Sequence, residues 1–355
     1  MSGNNPGCDV LSLRQMMVLL AVVLLAPATD LLPSLAARQV GKGGWFIGIG
    51  ILPVLLLALW LVGRLFCGRG ICEQVGRPMG NSVIILWLFW IAFVLAASLR
   101  FSAVRMEKVY GSVPSFCLSV MLTAVSVWVG RGKVAALARA AEIFYLALTV
   151  LLAAVLVLAL FQMEPQNLYP LEWERVPGGS LRAAGILLNV VPMAVLGARV
   201  PVKFRSWRRA ARWIVSFCAV ITLVLAAILG CAGSGLTARL ESPYLIMVQG
   251  LGIKGAFQRT EALVASMWLL SDLILCAALL QAGRYCAEQI MPKKWGVKSV
   301  PVLAAVALTV GWLLFPEENI ANFCVHVLPV SGIVLGLVFP ALLQIIAWLR
   351  TGKRR

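Results

Sequence analysis

Acidic and imidazole side chains are scarce in this sequence: 14 Asp and Glu and a single His among 355 residues. Most general acid–base and metal-dependent chemistry draws on those groups, so few such sites could be assembled. His326 stands alone at the start of an apolar run, and no His/Cys cluster has the spacing of a zinc or haem site. The nine cysteines contain no Cys-x-x-Cys pair and mostly lie inside apolar runs, where packed thiols are the ordinary state. A phosphate loop ending in Lys and Ser or Thr is missing, which removes the usual means of ATP hydrolysis. One interfacial histidine supports no Ser/His/Asp or Cys/His arrangement. The expectation is a protein with no catalytic residues, no cofactor and no metal, and not an enzyme.

Charge as a whole is also sparse, at 13% of residues against about 25% in soluble domains, while the hydrophobic share is 61% against roughly 45–50%. Such a chain needs lipid to bury its surface. The formal net charge of +17 sits in short loops between apolar spans, with no basic stripe interleaved with exposed aromatics, so nucleic acid is not an expected partner. A helix needs ~20 mostly apolar residues to cross about 30 Å of hydrocarbon. Ten stretches qualify or nearly do: 13–37, 44–66, 82–99, 113–129, 141–161, 181–201, 210–233, 262–285, 300–315 and 326–349. With the amino terminus in the cytoplasm, about two thirds of the 31 Lys and Arg fall on the cytoplasmic side, as the positive-inside rule requires. Arg199, Lys203, Arg205, Arg208, Arg209 and Arg212 crowd one short loop on that side. Both termini are then cytoplasmic. Residues 16–25 with Ala26-Pro27-Ala28 faintly resemble a signal peptide, but only Arg14 precedes them against Asp9, and apolar character resumes beyond Pro33.

The expected fold is an all-α polytopic membrane protein, a single transmembrane domain over residues 1–355 with about ten transmembrane helices. Its first and sixth spans are interrupted, the first by Pro27 and Pro33, the sixth by Gly185, Asn189, Pro192 and Gly197. Proline removes a backbone donor and clashes with the preceding turn, so helices kink or open there. Corresponding breaks in two halves are the mark of a 5+5 inverted repeat, here residues 11–161 and 181–349, with a binding site near the midplane. Gly44-x-x-x-Gly48 and Gly332-x-x-x-Gly336 read as close helix packing rather than nucleotide loops. The 12 tryptophans mostly flank spans, where amphipathic rings favour the interface.

Several short motifs, in order, carry a family resemblance over nearly the whole chain. They are Leu11-Ser12-Leu13-Arg14-Gln15, the stretch from Gly41 to Trp45, Arg139-Ala140-Ala141-Glu142, Asn167-Leu168-Tyr169-Pro170, and Phe257-Gln258-Arg259-Thr260-Glu261-Ala262-Leu263 with Trp268. In these the chain resembles the B subunits of bacterial endospore germinant receptors, a branch of the amino acid/polyamine/organocation transporter superfamily. The resemblance implies a transporter-like fold that senses a small nutrient germinant, often an amino acid, in the spore inner membrane. It also implies a larger A subunit and a C-subunit lipoprotein as partners. The chain departs from it at Ala28-Thr29-Asp30, where such proteins tend to carry glycine. A proton- or sodium-coupled amino acid transporter is the alternative function.

Asp30 and Asp272 are the acidic residues well inside apolar spans, where an ionisable group costs about 2.5–3.5 kcal/mol on insertion scales. Asp30, with Ala28 and Thr29, is a candidate for contact with a ligand amine, cation or proton; a half-helix cap is the other reading. Asp272, one turn beyond Trp268 and next to Ser271, is either a ligand contact or an interhelical hydrogen bond. Asn189 and Val191 are candidates at the sixth-helix break, where exposed N–H groups could take a carboxylate; Asn189 could equally satisfy opened backbone. Arg259 and Glu261, two apart, cannot share a helix face and read as an outer-end structural pair.

Overall fold

The computed structural model describes residues 10–65, 76–111, 113–200, 206–251, 260–291, 295–317 and 320–352. Along the chain run α1 (Leu13–Val40), a 3-10 turn over Gly41–Phe46, α2 (Ile47–Gly50), α3 (Leu52–Leu65), α4 (Arg77–Tyr110), α5 (Ser115–Gly130) and α6 (Val134–Leu160). There follow α7 (Val176–Leu188), a 3-10 segment over Val191–Arg199, α8 (Trp207–Thr237), α9 (Pro243–Gly250), α10 (Thr260–Ile290), α11 (Gly296–Leu314), α12 (Ile320–Ile333) and, past a π-helical turn at Val334–Val338, α13 (Phe339–Gly352). No strand occurs among the described residues. That is the outcome physics favours for so apolar a chain, since a helix satisfies its own backbone without water.

The starts of these helices follow local chemistry. Ser12 and Gln15 form a capping box on α1: Ser12 Oγ accepts from the Gln15 N–H (3.1 Å) and Gln15 Oε1 accepts from the Ser12 N–H (3.0 Å). Proline stands in the first turn of α4, α7 and α9, where its missing N–H has no intrahelical partner to lose. Gly111 closes α4 at φ 64°, a left-handed cap that glycine adopts without strain.

Among the described residues, seven helices are long and apolar enough to cross a membrane, or eight if one bent pair counts as a single span. By that measure the count falls short of the ten anticipated. Residues Leu13–Leu65 form one continuous helical run, and α5 has only 16 residues. The run nevertheless doubles back. Leu13 and Arg64, from its two ends, line one cavity, and nearby the Leu11 N–H donates to the Arg199 carbonyl (3.2 Å). Arg14 facing Glu142 (3.7 Å) and Arg284 Nη1 donating to the Arg131 carbonyl (3.2 Å) lie at this same end of the bundle, which is rich in basic residues. At the opposite end Arg38 Nε donates to the Ala238 carbonyl (2.7 Å), Lys42 Nζ to the Gln166 carbonyl (3.2 Å), and Lys108 pairs with Glu241.

The bend anticipated in the sixth span is present: α7 and the Val191–Arg199 segment meet at 50°. The first span is different. α1 runs unbroken for 28 residues through both Pro27 and Pro33, so the expected break there is not found. Ser271 of α10 explains how the helix survives. Its hydroxyl accepts from the Ala26 N–H (3.2 Å) and donates to the Val22 carbonyl (2.6 Å), supplying partners to the turn that Pro27 disturbs. Thr29 Oγ1 adds a bond to the Leu25 carbonyl (2.9 Å). The pair proposed for Arg259 and Glu261, the start of the Phe257–Leu263 motif, and Cys67 and Cys72 lie outside the residues whose side chains are described.

Both small-residue pairs mark close approach. A Cβ on Gly332 would stand 1.8 Å from the Gly185 carbonyl oxygen, and one on Gly185 would stand 2.2 Å from the Pro329 carbonyl oxygen. α7 and α12 therefore cross backbone to backbone. A Cβ on Gly48 would likewise fall 2.7 Å from the Thr222 backbone. Gly332→Leu is expected to cost about 1–3 kcal/mol or more by overpacking and to lower the thermal midpoint of the detergent-purified protein. Gly63→Ala, where nothing lies within 4 Å of the added Cβ, should leave the midpoint unchanged or raise it. Equal behaviour of the two variants would show that the crossing is not tight.

Candidate functional site

α4 contains no glycine or proline from Asn81 to Tyr110, and it carries two arginines into the bundle. Arg100 and Arg105, which fall between the expected spans 82–99 and 113–129, are helical and only 4% and 5% exposed. Arg105 is the centre of the site. Its Nη1 donates to Asp30 Oδ2 (2.9 Å) and its Nη2 to Asp272 Oδ2, so one guanidinium bridges carboxylates from α1 and α10. Asp30 is fully buried, and its other oxygen accepts from Ser242 Oγ (2.7 Å) at the start of α9. The two acids thus have a shared positive partner, the arrangement that makes a buried charge tolerable.

Aromatic rings close the cluster. The Arg105 guanidinium lies 4.6 Å from the Trp268 ring centroid and 5.4 Å from that of Phe101. Trp268 Nε1 donates to Thr29 Oγ1 (2.8 Å), and the Tyr244 ring packs beside Trp268 at 6.3 Å. Hydrogen-bonding capacity is left over here. Arg105 Nε and the Tyr244 hydroxyl are buried without a partner among the described residues. Two carboxyl groups here share one guanidinium. A group with a cationic part and further polar atoms would complete such a site.

The structure brings Thr29, Asp30 and Asp272 together, with Ala28 buried one residue from Thr29 in α1. It does not bring Asn189 to them. Asn189 is the knot of the α7 bend: its Oδ1 accepts from Trp90 Nε1 (3.3 Å) and Ser331 Oγ (3.0 Å), and its Nδ2 donates to the carbonyls of Gly185 (3.0 Å) and Leu328 (2.8 Å). Trp90 and Arg105 are both on α4, 15 residues or roughly 22 Å apart along the axis. Asp30 and Asn189 therefore do not line one small cavity. Both polar atoms of the Asn189 side chain are engaged, in keeping with the opened-backbone reading. Val191 lies elsewhere again, on a cavity near the basic end that none of the other five candidates lines.

Arg105 is the residue that reading the sequence missed. The signal was available, because a helix with no breaker before Gly111 carries residue 105 well past the apolar stretch, and two buried acids call for a base. Arg100 plays a different part at the outer end. Its Nε donates to the Phe315 carbonyl (3.1 Å), its Nη1 to Ser115 Oγ (3.0 Å), and it lies 3.9 Å from the Trp312 ring, tying α4 to α5 and α11. Of the paired motif at 139–142, Glu142 faces Arg14, whereas Arg139 turns back to the Ala135 carbonyl (3.2 Å).

No family model matches the chain. One relative does. The chain is 22% identical over 338 residues to YfkT of Bacillus subtilis (strain 168), a protein named for spore germination. The alignment covers 92% of this chain and 93% of that one, so the similarity is distant but runs end to end.

Removing Arg105 alone leaves two carboxylates buried without a base, which typically costs about 3–5 kcal/mol. Arg105→Gln should therefore lower the unfolding midpoint strongly, and adding Asp30→Asn to it should restore part of the loss. The check is a double-mutant cycle by thermal unfolding in detergent. Strictly additive losses would mean that the two residues do not interact.

Proposed function

We propose that this chain is the transporter-like membrane subunit of a spore germinant receptor, which binds a small nutrient germinant, an amino acid, and triggers germination. The observation that carries the reading is the closed cluster of Asp30, Arg105 and Asp272, two carboxyl groups to one guanidinium, with unpartnered polar atoms at Arg105 and Tyr244. An amino acid has the matching chemistry: its ammonium answers a carboxyl group, and its carboxylate answers a free guanidinium N–H. The end-to-end similarity to a protein named for spore germination supports the biological setting.

In this reading the Leu13–Leu65 run counts as two passes and α5 as one, giving ten, with both termini in the cytoplasm. The two halves form a 5+5 inverted repeat in the spore inner membrane. A larger A subunit and a C-subunit lipoprotein carry the output. A germinant that binds one arrangement of α1, α4 and α10 better than another shifts the population by that difference alone. The second reading is an amino acid transporter coupled to protons or sodium, and the pair of carboxyl groups favours it, since a coupling cation could sit there. The unbroken α1 favours the receptor, because a carrier of this plan binds its substrate and coupling ion at the opened ends of discontinuous helices.

Deleting the gene should abolish germination to one class of nutrient and leave responses through other receptors intact. In the complemented strain, Tyr244→Phe should shift the germinant concentration needed for half response several-fold at unchanged protein level. Normal germination to every nutrient, joined to loss of uptake of one amino acid by growing cells, establishes the transporter instead.

A further inference from the structure

The surroundings of the Arg105 guanidinium are those that a protein builds for a free cation. Carboxyl groups reach it from two helices, through Asp30 Oδ2 of α1 (2.9 Å) and Asp272 Oδ2 of α10. The rings of Trp268 and Phe101 lie 4.6 and 5.4 Å from it, within the ~6 Å over which an aromatic face attracts a cation. Acids joined to aromatic faces are the walls by which ammonium and guanidinium groups are recognised. The whole arrangement is buried, Asp30 completely and Arg105 and Asp272 nearly so.

Arginine makes such an occupant permanent. Its guanidinium keeps its proton inside proteins, so the charge cannot be given up at any working pH. α4 runs unbroken from Arg77 to Tyr110, so the side chain is tethered to a continuous helix and cannot diffuse away. A metal cation seeking the same carboxyl oxygens would meet a like charge beside them, at a depth where neither water nor salt screens the repulsion. A zwitterion brings its own negative charge and is not refused on that account. A bridge made only to tie helices would satisfy its own polar atoms and those around it. Here Arg105 Nε and the Tyr244 hydroxyl, both buried, have no partner among the described residues.

We propose that this cluster is a monovalent-cation site with its cation built in: Arg105 fills it, and the bundle keeps its arrangement with no sodium or other free metal cation bound there. The inference concerns what occupies the site and stands whether the chain senses or transports. A transporter would be left with protons at this cluster, because a carboxyl group can take a proton beside the arginine, whereas sodium needs the oxygens that Arg105 already holds.

The test is thermal unfolding of the full-length protein in detergent. Arg105→Ala removes from the site the atoms of ethylguanidinium. Millimolar ethylguanidinium chloride should therefore raise the midpoint of this variant by about 2 °C or more beyond its effect on the unaltered protein. Ethylurea, of the same shape without the charge, should not. The midpoint of the unaltered protein should be the same in sodium chloride as in N-methylglucamine chloride of equal ionic strength. Where Arg105→Ala does not fold, Arg105→Ala with Asp30→Asn, which leaves one carboxyl group in place of two, carries the same comparison. Equal effects of ethylguanidinium and ethylurea on the variant would make Arg105 an ordinary tie between helices and overturn the proposal. So would a rise of the unaltered protein's midpoint in sodium that Asp272→Asn abolishes.

Discussion

A charge in hydrocarbon must find its partner inside the protein, and the placing of Arg105 between Asp30 and Asp272 is how this chain meets that condition. Three helices distant in sequence, α1, α4 and α10, are held to one register by a single guanidinium. Either acid alone would be an expensive intrusion into an apolar span; bridged, they fix the centre of the bundle. The surrounding contacts follow from that register. Trp268 can reach Thr29 because α10 stands one turn from its salt bridge, and Ser242 can cap Asp30 because α8 and α9 bring the chain back over the cluster.

Much of the architecture was legible in the residues. The apolar helices, the bend at Asn189 and the close approach at Gly332 all follow from composition and periodicity, and each is present. What local pattern could not supply was partnership across the bundle. Pro27 and Pro33 read as a broken helix because a proline costs its own helix a hydrogen bond; the hydroxyl that compensates belongs to Ser271, 245 positions away from Ala26. Arg105 fell between the expected spans because hydropathy falls where arginine appears, although the helix itself continues to Tyr110. Asn189 and Asp30 looked alike as polar residues in interrupted spans, yet one is consumed by backbone carbonyls and the other by a guanidinium.

α4 links these separate features. Along one helix, Trp90 meets the bend in the sixth span, Arg100 anchors the outer ends of α5 and α11, and Arg105 holds the acids. Under the proposed function, a ligand that competes for Arg105 would act on the same helix that touches the bend. That is a physical route by which occupancy at one site could bias the shape of another, given two arrangements of the bundle between which the ligand discriminates.

Ser271 and Asp272 are neighbours on α10, and each grips a different helix: the first holds the backbone of α1, the second the arginine of α4. Adjacent residues on a helix point about 100° apart, so a turn of α10 about its own axis moves both grips at once. Releasing Asp272 from Arg105 by rotation also withdraws the hydroxyl that splints α1 at Pro27. The weakest point of α1 and the ion cluster are thus geared together, so that a rotation of α10 large enough to break one grip loosens the other with it.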